Sequence, residues 1–297
     1  MAEFAGYSMP IQYTQGIPDS HKWVRSKAGL FDVGHMVQMK FRGPKVTAFL
    51  ESITPSDLNS LAPFSSTLSV LLNTNGGIVD DLIITKHSET EYYVVTNAGC
   101  REKDLAYLKS HLENWKGVEW ELLDGRGLIA LQGPFAADVL NIHTTADLTP
   151  LKFGQSAYLT VAGVECHVAR GGYTGEDGFE ISIKEEKTVQ VTESILGSSP
   201  DVRLAGLGAR DSLRLEAGMC LYGHDLDETT TPVEASLAWV IGKRRRAEGG
   251  FPGSSTILQQ LREGPARRRV GLVVKEAPAR GMAPRNRISP AQKEQQY

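Results

Sequence analysis

Cysteine is scarce in this chain of 297 residues: Cys100, Cys166 and Cys220 are its 3 cysteines. They are odd in number and too far apart to form a CxxC pair, so a disulfide framework and a local zinc motif are excluded. A reducing compartment fits best. Long apolar runs are also lacking. The longest, 68–72 and 82–84, fall far short of the ~20 residues that a membrane span requires, so a soluble protein is expected. The first thirteen residues contain neither a basic stretch followed by an apolar one nor an Arg-rich, acid-poor amphipathic segment, and no targeting segment is visible. Neither a Walker loop nor a dinucleotide fingerprint occurs.

What is present describes a folded chain. Hydrophobic residues make up 41% and charged residues 23%, and at ~150 residues per domain the length predicts about two domains with sizeable cores. The net charge of -3 conceals a split. Residues 243–297 carry 13 Lys or Arg against 4 Asp or Glu. Such an end can be a polyanion-binding arm, but runs as short as 243–246 and 267–269 are expected to be solvated surface.

The pattern along the chain is one of strands with interspersed helices. Residues 68–97 read as antiparallel strands broken at Asn75, Gly76 and Gly77, the last of them the Tyr- and Val-rich run 91–96. Leu105, Leu108, Leu112 and Trp115 recur at helical spacing, with Gly117 as the stop. Strands are expected at 118–123 and 128–131. Gly133 and Pro134 then open a short helix, 158–169 forms a hairpin around Ala162 and Gly163, 179–184 is a strand, and 204–217 is a helix. Within the last ~55 residues, 268–275 is the one convincing strand. No internal repeat is evident. The elements do not alternate regularly as strand and helix, so the expected class is α+β, with mostly antiparallel sheets flanked by helices in two domains.

Three segments could carry chemistry. In GGIVDDLII, Asp80 and Asp81 sit inside an apolar run and, on a strand, point to opposite faces. A carboxylate there must pair with a cation, accept hydrogen bonds or take up a proton, so the alternatives are a charge held against a nitrogen-rich ligand and a turn-adjacent pair of surface acids. In GGYTGEDGFE, three acids disfavour phosphate. Glu180 could accept two hydrogen bonds from an amidine-like edge such as that of a pterin or guanine; a tight hairpin turn is the alternative. In GARDSLRLEAG, Arg210 and Arg214 share a helix face and either could bind a carboxylate, unless they pair within the chain. His35 has no metal-like partner at suitable spacing and reads as structural. Asn97 and Trp239 could supply an amide and a stacking face.

Taken in order, FAGYSMPIQY, LFDVGHM, GGIVDDLI, VVTNAGC, EKDL, LQGP, GYTGEDGFEIS, LAGLGARDSLRLEAGMCLYG, TTPVEASLAW and IGKRRR resemble the aminomethyltransferase (T-protein) family of the glycine cleavage system over roughly residues 2–284. The resemblance implies a tetrahydrofolate-dependent enzyme without a metal. It would take an aminomethyl group from the lipoyl arm of the H-protein, transfer its methylene to tetrahydrofolate and release ammonia in the mitochondrial matrix, with no nucleic-acid or membrane partner. It implies Asp81 as the catalytic aspartate, orienting the folate amine and stabilising positive charge as the leaving group departs. Glu180 matches the glutamate that grips the pterin and Arg210 an arginine of the folate site. Asn97, Tyr173, Trp239, Met36 and Leu68 match further pocket positions. The implied organisation is a folate-binding core in two parts, 1–125 and 126–242, the start of an incomplete C-terminal β-rich domain over 243–284, and a disordered tail over 285–297. Alternatives are an inactive fragment that still binds H-protein or folate and the folate-binding portion of a dimethylglycine or sarcosine dehydrogenase. The lack of a flavin-binding glycine fingerprint counts against the last.

Overall fold

The computed structural model describes residues 1–271. A hairpin of β1 (Ala2–Phe4) and β2 (Tyr7–Met9) precedes α1 (Gly16–Ser26) and β3 (Ala28–Asp32). Next come β4 (Val37–Arg42), α2 (Val46–Ile53), β5 (Ser65–Leu72), β6 (Ile78–Ser88), β7 (Glu91–Thr96), α3 (Arg101–Leu112) and β8 (Glu119–Leu122). They are followed by β9 (Arg126–Gln132), α4 (Ala136–His143), β10 (Gln155–Val161), β11 (Val164–Arg170), β12 (Gly178–Lys184), α5 (Glu185–Gly197) and β13 (Val202–Leu204). The last described elements are α6 (Leu207–Glu216), α7 (Lys243–Glu248) and α8 (Ser254–Glu263).

β3 to β13 make one 11-stranded sheet in the order β13-β3-β9-β12-β11-β10-β5-β6-β7-β4-β8. β13 pairs with β3 in parallel, and the other neighbours are antiparallel. This is the expected α+β arrangement. The hairpin β10-β11 turns through Ala162 and Gly163, both at positive φ (49° and 79°), the turn chemistry that suits the twist of a two-residue hairpin.

An internal repeat, not evident in the sequence, organises the sheet. The succession β4-α2-β5-β6-β7-α3-β8 recurs as β9-α4-β10-β11-β12-α5-β13. Residues 41–70 and 131–160 have the same secondary structure position by position. Gly43 and Gly133 hold matching backbone conformations (φ 126° and 129°). Side-chain identity survives at few positions, among them Gly-Pro at 43–44 and 133–134 and Asp-Leu at 57–58 and 147–148. Elsewhere only the apolar pattern is kept, and that alone fixes which face each residue buries.

Each half packs its helices on one face of its strands. In the first, Phe41, Phe49, Leu50, Ile84, Val94 and Leu108 form the core; in the second, Leu131, Val139, Leu140, Ile181, Val191 and Ile195 do. Strand alternation sends the intervening residues to the opposite, inner face. There Gln38 of β4 accepts hydrogen bonds from Tyr93 of β7 and Ser182 of β12, so the two halves meet through side chains across the curved sheet. α1 and α6 cover part of this face, packing Val24, Ala209 and Leu213 on Phe31, Tyr93 and Val95.

Several expectations change. The 204–217 helix begins only at Leu207, because Leu204 belongs to β13 and Gly206 is extended, with Leu207 and Gly208 donating backbone hydrogen bonds to Pro10 and Ile11. α3 ends at Leu112, and Trp115 packs on Phe49 from the following turn. α4 starts at Ala136, after Pro134. The basic run 243–246 is not merely solvated. Arg244 bonds Glu51 and Asp57 of the first half at 2.6 and 2.9 Å, and Arg245 is buried with its guanidinium donating to the Glu51 carbonyl. The acids around α2 provide a docking surface for α7. The described part of the expected strand 268–275 is not a strand, and its remainder, like the tail 285–297 and the last part of 243–284, lies outside the described residues.

Candidate functional site

Asp80 and Asp81 are on β6 and, as alternation requires, face opposite sides. Asp80 is fully buried on the helix side, near Cys100 and Asp104. Asp81 faces the inner side and is half-buried. The chain reverses into α3 immediately after β7, and this places Asn97 beside both acids. Its Nδ2 lies 3.0 Å from Asp80 Oδ1, 2.9 Å from Asp81 Oδ1 and 3.0 Å from the Asp81 carbonyl, while its backbone N–H donates to Asp80 Oδ2 at 3.1 Å. Burial and then the Asp80 charge push the Asp81 carboxyl up to about 7, against the pull of the Asn97 hydrogen bond.

The second half contributes Glu180 and Tyr173. Glu180 lies on β12, where Phe179 and Ile181 enter the core and so turn Glu180 to the inner face. Tyr173 is in the loop before β12, and its hydroxyl donates to the Cys220 carbonyl. Arg210 of α6 stacks over the Tyr173 ring at 4.6 Å. Burial raises the Glu180 carboxyl and lowers the Arg210 guanidinium, and each charge offsets part of the other's shift. Among the described residues the two form no direct ion pair, which leaves both charged groups available to a ligand.

Arg214, one turn on, is used differently. It is buried and bonded to Asp211 and Asp225 at 2.8 and 2.7 Å, so it anchors the segment after α6 and the two arginines do not act as a pair. His35 is buried against Phe4 at a ring distance of 5.4 Å. Burial and the Arg210 charge lower it to about 4, with Asp32 opposing, so it is neutral at physiological pH.

The remaining expected positions surround this group less tightly. Met36 packs on the cluster of Phe31, Tyr93, Val95 and Ala209. Leu68 of β5 joins the apolar cluster of Val70, Leu237 and Val240. Trp239, in a short 3-10 turn that packs against β5, is 60% exposed. Asp81, Asn97, Tyr173, Glu180 and Arg210 therefore form an electrostatically linked group, with Tyr173 feeling Arg210 and Asp81. A surface cleft of about 690 Å³ lined by Arg42, His87, Glu91 and Glu119 does not include this group.

Asp104 lies beside Asp80 and is not among the residues expected for the site. The signal was available: counted with Leu108 and Leu112 it falls on the buried stripe of α3, where an acid is out of place. Asp80, Cys100 and Asp104 bring one ligand atom each to within 4.8 Å of one another and are all buried.

Residues 1–245 match the GCVT N-terminal domain family model. The chain is 61% identical over 279 residues to the probable mitochondrial aminomethyltransferase of Schizosaccharomyces pombe, covering 93% of this chain and 72% of that protein. It is 50% identical over 289 residues to the mitochondrial aminomethyltransferase of Homo sapiens, covering 96% and 71% respectively. The crystal structure of glycine cleavage system aminomethyltransferase T from Bartonella henselae superposes with a TM-score of 0.85 at 40% identity, covering 91% of this chain and 73% of that one. By sequence over most of its length and by the course of its backbone, the chain belongs to the aminomethyltransferase family defined by the GCVT N-terminal domain.

Proposed function

We propose that this protein is the aminomethyltransferase of a glycine cleavage system, moving the methylene of an aminomethyl group from the lipoyl arm of the H-protein to tetrahydrofolate with release of ammonia. The relatives' names support the reaction and a mitochondrial setting. The observation that carries the reading is the convergence of Asp81 and Asn97 from one half of the sheet with Glu180 and Tyr173 from the other and Arg210 from α6.

This set of groups suits a folate. Glu180 can accept two hydrogen bonds from the amidine edge of a pterin, which needs a carboxylate held away from water and not consumed by an ion pair. Arg210, fixed over Tyr173, opposes the rise that burial imposes on that carboxyl and offers a cation to the ligand. Tetrahydrofolate, when bound, supplies the amine that accepts the methylene. Asp81 then provides a fixed negative charge for the positive charge that develops as the carbon–nitrogen bond to the departing ammonia breaks, and Asn97 holds that carboxylate in orientation.

The test is ammonia release from aminomethylated H-protein by the purified chain with and without tetrahydrofolate, alongside Asp81→Asn. Folate-dependent release that is lost in the variant is expected. No folate-dependent release from well-folded protein would sink the reading.

A further inference from the structure

Asp104 is an acid buried to 0% exposure on the core side of α3, and with both carboxyls ionised neither of its oxygens has a hydrogen-bond partner. Its carboxyl lies within 4.8 Å of the equally buried Asp80 carboxyl and of Cys100 Sγ. Two negative charges that close, away from water, repel strongly, so one must be neutralised. A proton is the smallest solution, since a protonated carboxyl becomes a donor toward its neighbour.

Resting on the reaction proposed above, we propose that Asp80 and Asp104 share one proton as a buried carboxyl pair whose remaining charge positions Asn97 and, through Asn97, the Asp81 carboxylate. The distribution of donors says where the charge stays. Asp80 accepts the Asn97 backbone N–H and side-chain amide, whereas Asp104 has only the Thr96 hydroxyl beside it as a donor and neither of its oxygens is in a well-formed hydrogen bond. Asp104 is accordingly pushed up to about 10 by burial, by the Asp80 charge and by a hydrogen bond to Asp80, with the Thr96 hydroxyl and Lys103 pulling in the other direction.

The consequence reaches the catalytic carboxyl. The Asn97 amide nitrogen has two hydrogens and three acceptors around it, Asp80 Oδ1, Asp81 Oδ1 and the Asp81 carbonyl. Its orientation is therefore fixed nitrogen inward, and its rotation would break both acids' contacts. Groups facing these acids are Cys100, Lys103 and Asp104 at the start of α3, Tyr173 from the loop before β12 and Cys220 after α6. Of the acids, Asp80 is the one whose charge bears on Asp81. Asp80 and Asp104 are thus positioning residues, and Asp81 is the group they position.

The pair is tested on the full chain by infrared spectroscopy at mildly alkaline pH, which reads the carbonyl stretch of a protonated carboxylic acid. That band is expected in the native protein and is lost in Asp104→Asn, whichever of the two acids carries the proton. Positioning is tested kinetically. Asp104→Leu lowers kcat on the order of tenfold to a hundredfold, and Asp104→Asn, whose amide can still donate to Asp80, restores most of that loss. Asp80→Asn moves the acid limb of the kcat profile to lower pH by removing the neighbouring charge, which a purely structural role would not do. The inference is overturned if the band is absent, if the Leu and Asn variants are equally impaired, or if purified protein retains stoichiometric zinc that Asp104→Asn releases. Should Asp104→Leu fail to fold, the band and the Asp80→Asn profile still decide. The infrared band needs no turnover, so its presence in a protein without aminomethyl transfer would remove the proposed reaction and leave the pair standing.

Discussion

Ser65 at the start of β5 pairs with Gln155 at the start of β10, and these are equivalent positions of the internal repeat. Antiparallel pairing of a residue with its own counterpart is what a two-fold relation between the halves requires. The inner face is therefore built from the same strands twice, while the side chains on it have diverged. β6 contributes Asp81 and β12 contributes Glu180, and they are not counterparts. The symmetric scaffold supports an asymmetric set of charges, as recognition of an asymmetric ligand demands.

The first prediction concerns Asp81. If it works as a carboxylate, kcat/KM falls as pH drops through about 7, the value to which burial and Asp80 push it. Asp81→Asn abolishes that limb and lowers kcat by about 10²-fold or more, the usual cost of losing one electrostatic contact to a transition state. Folate binding, measured by fluorescence or calorimetry, is retained. An unshifted pH profile in a variant of undiminished activity would remove Asp81 from this role.

Glu180 and Arg210 should behave as a coupled pair in ligand binding. Glu180→Gln weakens folate about 10- to 100-fold, the loss of a charge-assisted, two-point contact. Arg210→Met acts partly through Glu180, because the Arg210 charge is what opposes the raised Glu180 carboxyl. Without it Glu180 takes up its proton at higher pH, so the loss of affinity in Arg210→Met grows as pH is lowered. Equilibrium binding at two pH values checks this, and a pH-independent loss would show that Arg210 touches the ligand alone.

How much of this was legible in the sequence differs by scale. Strands over 68–97 with a turn at Asn75 to Gly77, and the run 91–96 among them, follow from composition and from a turn whose geometry is local, while the extension of β5 back to Ser65 and of β6 to Ser88 does not. The opposite facing of Asp80 and Asp81 follows from the pleat alone. The repeat did not show, since burial conserves polarity and volume rather than identity; Phe49 and Val139 fill equivalent places. The docking of Arg244 on Glu51 and Asp57 joins residues nearly two hundred positions apart, which no local pattern encodes. Arg210 and Arg214 share a face by spacing, yet tertiary partners assign one to Tyr173 and the other to Asp225.

The repeat makes a stability prediction at its two glycines. A Cβ on Gly133 would sit 2.2 Å from the Lys27 carbonyl oxygen, and one on Gly43 1.9 Å from that of Gly117. Both also hold φ values that L side chains rarely adopt. Gly133→Ala and Gly43→Ala should each destabilise by at least about 2 kcal/mol. Gly197, at the end of α5, has open space where its Cβ would stand, so Gly197→Ala stays within about 1 kcal/mol of the native chain. Denaturant midpoints for the three variants test the ordering.

The inner face also predicts how the fold responds to acid. His87 Nε2 and His167 Nε2 lie 3.1 Å apart in a buried site, with His87 Nδ1 3.1 Å from Glu91 Oε1. A neutral pair needs one donor and one acceptor between them. If His87 donates through Nδ1 to Glu91, then His87 Nε2 accepts and His167 Nε2 donates. Burial, the facing His87 and the cations Arg126 and Lys40 lower His167 to about 3, and burial also lowers His87. The unfolded chain takes up these protons near the ordinary histidine value while the folded chain resists them. The pair's contribution to stability is therefore fully present above about pH 6.5 and declines as pH falls toward 3. Glu91 adds to the decline lower down. Burial opposes its charge, but hydrogen bonds from Arg42, His87 and Lys40 prevail and hold it at about 2, so its contribution is present above about 4.5 and is lost as pH falls through 2. His167→Gln removes one proton-linked group while keeping a donor, and should flatten the curve between neutral pH and about pH 5. Urea midpoints across that window measure the slope, and an unchanged slope in the variant would show that the pair does not govern it.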